Sequence, residues 1–302
     1  MVKEPLVYVD GRFVEKSKAV VSVFDHGLLY GDGVFEGIRA YNGSVFRLAD
    51  HISRLYDSAK VIRLKMPIDE REMTAAVLET MRKNDLRDAY IRLVVTRGAG
   101  DLGVDPALCK SPTVFIIAEP MASSLGPREP RVVRMIFSSY RRDAVDATSH
   151  EIKSLNYMNS ILAKMEASSA GADDAIMLDH RGFVSEASVS NIFIVKDGKL
   201  STPSSGAGIL HGITRRRVIS LCSDLGLEVA ERDITPFELS TADEVFLVGT
   251  KSEVLAVGSV GGVDIGTGGV GGVTRKLYGE FSKVVRRAEE GTPVYEPERV
   301  RA

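Results

Sequence analysis

The chain has 302 residues, 44% hydrophobic and 26% charged, with a formal net charge of −2. That composition suits a soluble globular protein of one large domain or two ordinary ones, and so balanced a charge supplies no field for nucleic acid or an anionic membrane. Two distant cysteines, Cys109 and Cys222, and five scattered histidines predict neither a disulfide framework nor a metal centre, and they suit a reducing, cytoplasmic compartment.

The opening Met1-Val2-Lys3-Glu4-Pro5 lacks a long apolar run, so neither a signal peptide nor a membrane span is expected. Asp10-Gly11 between Leu6–Val9 and Arg12–Val14 predicts a tight hairpin. The same device returns at Asn42-Gly43 and at Asp197-Gly198. Hairpins with helices set between them predict an α+β fold of antiparallel hairpins and flanking helices, not a doubly wound parallel sheet. The stretch Phe24–Arg39 carries Gly27, Gly31 and Gly33, which let backbone turn tightly and approach a ligand. Tyr30 and Phe35 in it either wall a pocket or fill a core. Asp50 is read as the cap of a helix whose buried face is Ile52, Leu55, Ala59 and Ile62, with Arg54 among the polar positions. A second helix is predicted over about 69–83.

Residues 90–97 read as a strand in which Tyr90, Arg92 and Val94 share a face. An arginine on an otherwise apolar face calls for an anionic partner. The breaker-rich residues 119–130 predict a connection between domains. The division is a smaller N-terminal α/β domain over 1–120, an interdomain loop over 121–130, and a larger C-terminal domain over 131–302 that carries Lys153.

The second half opens with a strand, Val132–Phe137. Lys153 then stands at the mouth of a predicted helix with the stripe Leu155, Met158, Leu162 and Met165, Ile161 beside them, ended by Gly171. Such a lysine is either solvated or an amine whose charge the helix dipole disfavours. Desolvation and positive neighbours bring the second kind from about 10.4 toward ~7–8, where it attacks carbonyls or moves protons. Tyr157, four residues on, would share its face if the helix includes the lysine. Strands follow at Asp174–Leu178, 183–188 and Asn191–Val195. Glu186, between apolar segments, needs a partner. Thr214 is read as the N-cap of a helix with the stripe Val218, Leu221, Cys222 and Leu225, ended by Gly226. Arg215, Arg216 and Arg217 in its first turn oppose the dipole, either as solvated residues or beside a bound anion. A strand, Glu244–Val248, runs into Gly249-Thr250-Lys251-Ser252. The glycine-dense residues 258–272 are read as hairpin loops, the last helix as about 273–289, and the residues after Pro293 as a disordered tail.

The run Glu151-Ile152-Lys153-Ser154-Leu155-Asn156-Tyr157-Met158-Asn159 resembles the cofactor-lysine segment of fold-type IV pyridoxal-phosphate enzymes. These are branched-chain aminotransferases, D-amino acid aminotransferases and aminodeoxychorismate lyases. Phe-Glu-Gly-Ile-Arg at 35–39, the Tyr-x-Arg of Tyr90 and Arg92, and the absence of an arginine and a histidine after Arg97 make the chain most similar to the branched-chain enzymes. The resemblance implies pyridoxal 5′-phosphate as cofactor, Lys153 as its Schiff-base lysine, and amino acids and 2-oxo acids as partners. The implied reaction is transamination between leucine, isoleucine or valine and 2-oxoglutarate. A homodimer or an assembly of dimers is implied as well. By the same resemblance Arg54, Ile213, Thr214 and Thr250 hold the phosphate, Tyr157 the ring oxygen and Glu186 the ring nitrogen. Tyr30, Phe35, Gly37 and Arg39 belong to the substrate pocket, and Tyr90 and Arg92 to the substrate carboxylates. Lys251 stands where the family carries a small residue, on the substrate side. A lyase or a D-amino acid enzyme on the same scaffold, or a non-catalytic protein that keeps the fold, are the alternatives.

Overall fold

Each of the three hairpins closes on a pair of residues with positive φ: Asp10 and Gly11 at 45° and 85°, Asn42 and Gly43 at 48° and 79°, Asp197 and Gly198 at 48° and 74°. Two left-handed residues in succession match the twist of the strands they join. The computed structural model describes residues 4–126 and 129–296. Positions 1–3, positions 127–128 of the expected connection and positions 297–302 of the expected tail lie outside the described residues.

The chain forms two units. The first takes Met1–Ser123, Ile152–Asn156 and Val284–Ala302, and the second takes Ser124–Glu151 and Tyr157–Lys283. Lys153, expected in the C-terminal domain, thus belongs to the first unit, as does the C-terminal segment.

The first unit contains β1 (Leu6–Val9), β2 (Arg12–Glu15), α1 (His26–Tyr30), β3 (Gly33–Tyr41), β4 (Ser44–Phe46), α2 (Leu48–Val61), α3 (Glu70–Lys83), β5 (Ala89–Thr96) and β6 (Thr113–Pro120). Among the described residues its sheet has seven strands in the order Gly291–Pro293, β4, β3, β5, β6, β1, β2, every neighbour antiparallel. One face of the sheet carries Val34, Ile38, Ile91, Leu93, Val95 and Ile116, and α2 and α3 bury it with Ile52, Leu55, Met73, Val77 and Met81. Asp69 and Glu72 form a reciprocal capping box on α3. The start of α2 differs from expectation. Arg47, left-handed at φ 50°, precedes the helix, and Asp50 lies inside its first turn, paired with Arg47. A carboxylate there favours the dipole without being the cap. Val294, expected in the tail, is fully buried in this core.

The lysine segment joins this sheet by backbone pairing. β4 covers only the far end of β3, with Ala40 opposite Val45 and Tyr41 opposite Ser44. At the near end Phe35 N donates to Lys153 O (3.0 Å) and Leu155 N donates to Gly33 O (3.0 Å). A strand edge with unmet donors and acceptors therefore receives residues 153–155.

The second unit contains β7 (Val132–Phe137), α4 (Met158–Ser169), β8 (Asp174–Leu178), β9 (Val184–Ala187), β10 (Asn191–Lys196), β11 (Lys199–Thr202), α5 (Ile213–Asp224), β12 (Val229–Glu231), α6 (Pro236–Ser240), β13 (Glu244–Gly249), β14 (Glu253–Val260) and β15 (Val263–Asp264), and α7 (Gly272–Val284) begins in it. Among the described residues its nine-stranded sheet runs β12-β11-β10-β13-β14-β7-β8-β9, with β15 on β14. The pairs β11–β12, β14–β7 and β7–β8 are parallel and the others antiparallel, so this sheet is mixed. At its start Ser124 gives both its N–H and its hydroxyl to the buried carboxylate of Glu253, and its carbonyl accepts from Tyr278 (2.5 Å).

Two helix starts also differ from expectation. The helix after the lysine begins at Met158, not at Lys153, and Met158 and Met165 of the expected buried stripe are 64% and 60% exposed. Its buried face is Ser160, Ala163 and Ala167, three small residues that bring the backbone close to Ala175 and Met177 of β8. Large side chains are excluded by that close approach. α5 begins at Ile213 with Gly212 as N-cap, so Thr214 lies within the first turn.

Gly33 tests the packing of the lysine segment. A Cβ there would lie 2.7 Å from Leu155 Cδ1 and 2.8 Å from the Val95 carbonyl oxygen. Gly33→Ala should cost roughly 1–3 kcal/mol, as overpacking does, seen as a lower urea midpoint. Gly279→Ala, in α7 with nothing within 4 Å of the new Cβ, should stabilise by about 0.5–1 kcal/mol, the helix-interior difference between the two residues, and so raise the midpoint.

Candidate active site

Strand alternation sorts the residues of β3 and β5. Val34, Glu36 and Ile38 point to the helices, while Phe35, Gly37 and Arg39 point to the opposite face with Tyr90 and Arg92 of β5. Arg92 sits opposite Gly37 and Tyr90 opposite Arg39 in the register. Arg92 Nη2 donates to the Tyr90 hydroxyl (3.1 Å), and its guanidinium carbon lies 4.5 Å from the centre of the Phe35 ring. Lys153 Nζ also lies 4.5 Å from that ring centre. One aromatic ring thus attends two cations, the attraction that a ring quadrupole provides. Gly37 makes this possible, since a Cβ there would fall 2.2 Å from the Tyr90 hydroxyl.

Helix α2 supplies the next layer. Ser58 Oγ accepts from Lys153 N (3.2 Å), and Arg54 is one turn earlier on the same helix. Glu36 Oε1 accepts from Arg54 Nε (2.7 Å), and Glu36 Oε2 accepts from Arg54 Nη2 (2.8 Å) and from His51 Nδ1 (2.7 Å). A carboxylate only accepts, so His51 carries its proton on Nδ1. Burial pushes the Glu36 carboxyl up, but Arg54 and His51 outweigh it and hold it well below the usual carboxylate range. Burial pushes His51 down, opposed by Glu36 and assisted by the positive charges of Arg54 and Lys153.

Two further residues expected in the pocket have partners of their own within this unit. Arg39 is 2% exposed, and its Nη2 donates to the Met121 carbonyl (3.1 Å). Tyr30 accepts from Gly103 N (2.9 Å) and lines a hollow of about 290 Å³ with His26, Asp32, Val104, Ser154 and Asn156.

The second unit gathers a separate set. Glu186 on β9 is 3% exposed. Its Oε1 is 3.3 Å from Arg142 Nη2, and its Oε2 accepts from Asn191 Nδ2 (2.8 Å) and Leu210 N (3.2 Å). Arg142 also donates to Ala187 O (2.9 Å), Ser160 Oγ (3.0 Å) and His150 Nε2 (3.2 Å). The ring of Tyr157, which precedes α4, lies 5.7 Å from that of His150. Asn191 links Glu186 to the start of α5, because its Nδ2 also donates to Leu210 O (2.9 Å). Gly212 fits against Asn191, whose Oδ1 a Cβ would meet at 2.1 Å. Among the described residues no side chain caps α5, so its first-turn amides at Ile213 and Thr214 point to where an anion is favoured. Arg215 and Arg217 are not solvated. Arg215 donates to Pro203 O (2.9 Å) and Glu231 (2.7 Å), and Arg217 pairs with Asp224 at 3.5 Å. Thr250 follows Gly249, whose neighbour in the turn, Ser252, bonds Ser190 at 3.0 Å beside Asn191. Lys251 is exposed.

Glu36, His51, Arg142, His150 and Asn191 went unassigned in the sequence, although His51 stands three residues before Arg54. Among the described residues no group of three or more His, Cys, Asp or Glu could hold a metal ion, and no helix is long and apolar enough to cross a membrane.

The family model described as amino-transferase class IV matches residues 33–260. A protein of Methanocaldococcus jannaschii, provisionally named a branched-chain-amino-acid aminotransferase, is 52% identical over 96% of this chain and 99% of its own length. The crystal structure of a T.th. branched-chain amino acid aminotransferase with pyridoxamine 5′-phosphate is 39% identical, with a TM-score of 0.92 over 98% of this chain and 100% of that one. The same T.th. enzyme complexed with N-(5′-phosphopyridoxyl)-L-glutamate is 38% identical, with a TM-score of 0.90 over 98% and 100%. The architecture is accordingly α+β of fold type IV.

The shifts at His51 and Glu36 have one sign. Below about 6.5 and about 4.3, the ordinary values for histidine and glutamate, the unfolded chain takes protons that the folded chain refuses. Both contributions are complete above about 6.5. That of His51 is lost as pH falls below it, and that of Glu36 below about 4.3. Between pH 7 and 5 the urea midpoint of the wild type should therefore fall relative to that of His51→Asn, and parallel midpoints would exclude the coupling.

Proposed function

The chain belongs to the class IV amino-transferase family, and on that premise we propose that it transfers the amino group of leucine, isoleucine or valine to 2-oxoglutarate with pyridoxal 5′-phosphate as cofactor. The observation that carries this reading is the cluster on the β3–β5 face. An amine at Lys153 and a carboxylate-binding pair at Arg92 and Tyr90 share one aromatic residue, Phe35.

The residues present suit the cofactor. Arg54 is a cation fixed from behind by a buried carboxylate, α5 opens on amides with no side-chain cap, and Gly37 and Gly212 let the Tyr90 hydroxyl and the Asn191 side chain come close to the backbone. When bound, pyridoxal phosphate supplies an aldehyde for amines and a protonated ring that draws electrons from Cα. Lys153 would hold the cofactor through its aldehyde carbon, and its amine would move the Cα proton as general base and acid. Arg54, the amides of Ile213 and Thr214, and Thr250 hold the phosphate. Glu186, paired with Arg142 at 3.3 Å, would face the ring nitrogen, and Tyr157 would hydrogen-bond the ring oxygen. Arg92 and Tyr90 bind substrate carboxylates, including the distal one of glutamate. Phe35, Gly37 and Tyr30 shape the slot for an aliphatic side chain. Lys251 tunes the choice of amino acceptor. Arg39 acts through the Met121 carbonyl that it holds. The assembly is a homodimer or an assembly of dimers, which the exposed apolar side chains Val20, Val23, Phe24 and Leu28 of the first unit support.

Leucine with 2-oxoglutarate should yield glutamate and the branched 2-oxo acid, and L-amino acids should outpace D-amino acids in the same assay. No branched product would refute the reading. Borohydride reduction should fix the cofactor to Lys153 by mass spectrometry. Lys153→Ala should lower kcat by at least ~10²–10⁴-fold, the range general acid–base catalysis contributes. Gly37→Ala, which displaces the Tyr90 hydroxyl, should raise KM for 2-oxoglutarate about ten-fold and change kcat with leucine less. An unaltered KM would remove Tyr90 from carboxylate binding.

A further inference from the structure

We propose that Glu36, backed by His51, is a positioning residue that sets the orientation of the Arg54 guanidinium, and through it the preference for a phosphorylated cofactor over the unphosphorylated aldehyde. The inference rests on the reading of Arg54 as a phosphate ligand.

Glu36 occupies an unusual place. It lies on the helix-covered side of β3 between Val34 and Ile38, and all three side chains are fully buried. A carboxylate in such a layer is costly unless it is paired and hydrogen-bonded. Here both oxygens are used. Oε1 takes Arg54 Nε at 2.7 Å and Oε2 takes Arg54 Nη2 at 2.8 Å. Two parallel bonds to a planar guanidinium fix its plane and its rotation, where one bond would fix only a distance. The pair also uses the Nε edge, so the terminal Nη1 nitrogen is turned away from Glu36.

His51 completes the device. It sits three residues before Arg54 on α2, is 1% exposed, and donates Nδ1–H to the same Oε2 at 2.7 Å. That third bond stops the carboxylate from rotating about its own axis. A flexible arginine side chain carries considerable rotamer entropy, and a guanidinium ordered beforehand surrenders less of its freedom when an anion arrives. Gln at Glu36 would keep one acceptor and turn an NH₂ group toward the guanidinium N–H donors. Asp would keep the charge but withdraw it by one methylene.

The test separates positioning from simple support of the fold. Full-length apoprotein is titrated with pyridoxal 5′-phosphate and, separately, with pyridoxal, which has no phosphate to offer Arg54. The readout is the ratio of the two dissociation constants. In E36Q the ratio should fall about ten-fold or more, the scale of a lost hydrogen bond to a charged group. The dissociation constant for pyridoxal itself should move less than about two-fold, which also reports that the variant is folded. H51N, which retains an N–H donor, should restore most of the wild-type ratio, whereas H51A should not. If E36Q weakens both aldehydes alike, Glu36 merely supports the fold and the proposal fails. If E36Q keeps the wild-type ratio while R54A collapses it, the proposal fails and Arg54 remains the phosphate ligand. If R54A leaves the ratio unchanged, the reading of Arg54 fails and the proposal with it. Where E36Q does not fold, E36D is read by the same ratio with the same outcomes.

Discussion

Two backbone hydrogen bonds, Phe35 N to Lys153 O and Leu155 N to Gly33 O, are the constraint from which the first unit's chemistry follows. They tie a five-residue stretch to an edge of β3 that β4 leaves uncovered. Register does the rest. With Ser154 opposite Val34, the lysine falls beside Phe35, and alternation puts Phe35 on the face that carries Arg92 and Tyr90. A slip of one residue would turn the amine toward the core layer of Val34 and Ile38. Gly33 guards that register sterically, because Leu155 lies where its Cβ would be.

The same strand serves two opposite purposes within three residues. Phe35 and Gly37 face the candidate site, and Glu36 between them faces the core. A buried carboxylate would normally argue against a central strand of a hydrophobic sheet. Here α2 answers it with a guanidinium and an imidazole one turn apart, so that the polar group in the core and the polar group at the site form one hydrogen-bonded piece. That coupling carries the acid sensitivity of His51 and Glu36 into the same helix that holds the lysine's backbone through Ser58.

Local physics made much of the architecture legible in the sequence. Asp-Gly and Asn-Gly pairs need only their own backbone preferences to turn a hairpin, the alternation in 90–97 is likewise local, and 191–195 is a mostly apolar run buried throughout. The capping of α3 was equally local. What failed depended on distant partners. The predicted stripe Leu155, Met158, Leu162 and Met165 has helical spacing, but Met158 and Met165 of it, with Ile161, are exposed, because close packing on β8 requires the small side chains of Ser160, Ala163 and Ala167. Periodicity marks a stripe without saying which stripe is buried. Arg215 and Arg217 read as first-turn cations until their partners, Glu231 and Asp224, are in view. Arg142 left no local signal, since Glu186 is 44 positions along the chain. Lys153 and Arg54 were singled out through family resemblance. The carboxylate behind Arg54 was not, although it stands within the Phe-Glu-Gly-Ile-Arg run.

The two units use the same ion pair in opposite senses. In the first, the carboxylate of Glu36 is the buried anchor and the guanidinium of Arg54, 14% exposed, is the partner nearer to solvent. In the second, Arg142 is the buried anchor, with no exposed side-chain surface, and the carboxylate of Glu186 is the group held in position. Arg54 and Glu186 are each fixed by an oppositely charged partner that is itself bonded elsewhere, Glu36 by His51 and Arg142 by Ser160 and the Ala187 carbonyl. A buried pair is weak evidence of net stabilisation, because desolvation offsets most of the Coulomb attraction. Its persistence at both places is better explained by orientation. On the proposed reading a phosphate and a ring nitrogen would each require one charge of fixed direction, which a rigid counter-charge would supply at a modest cost in stability.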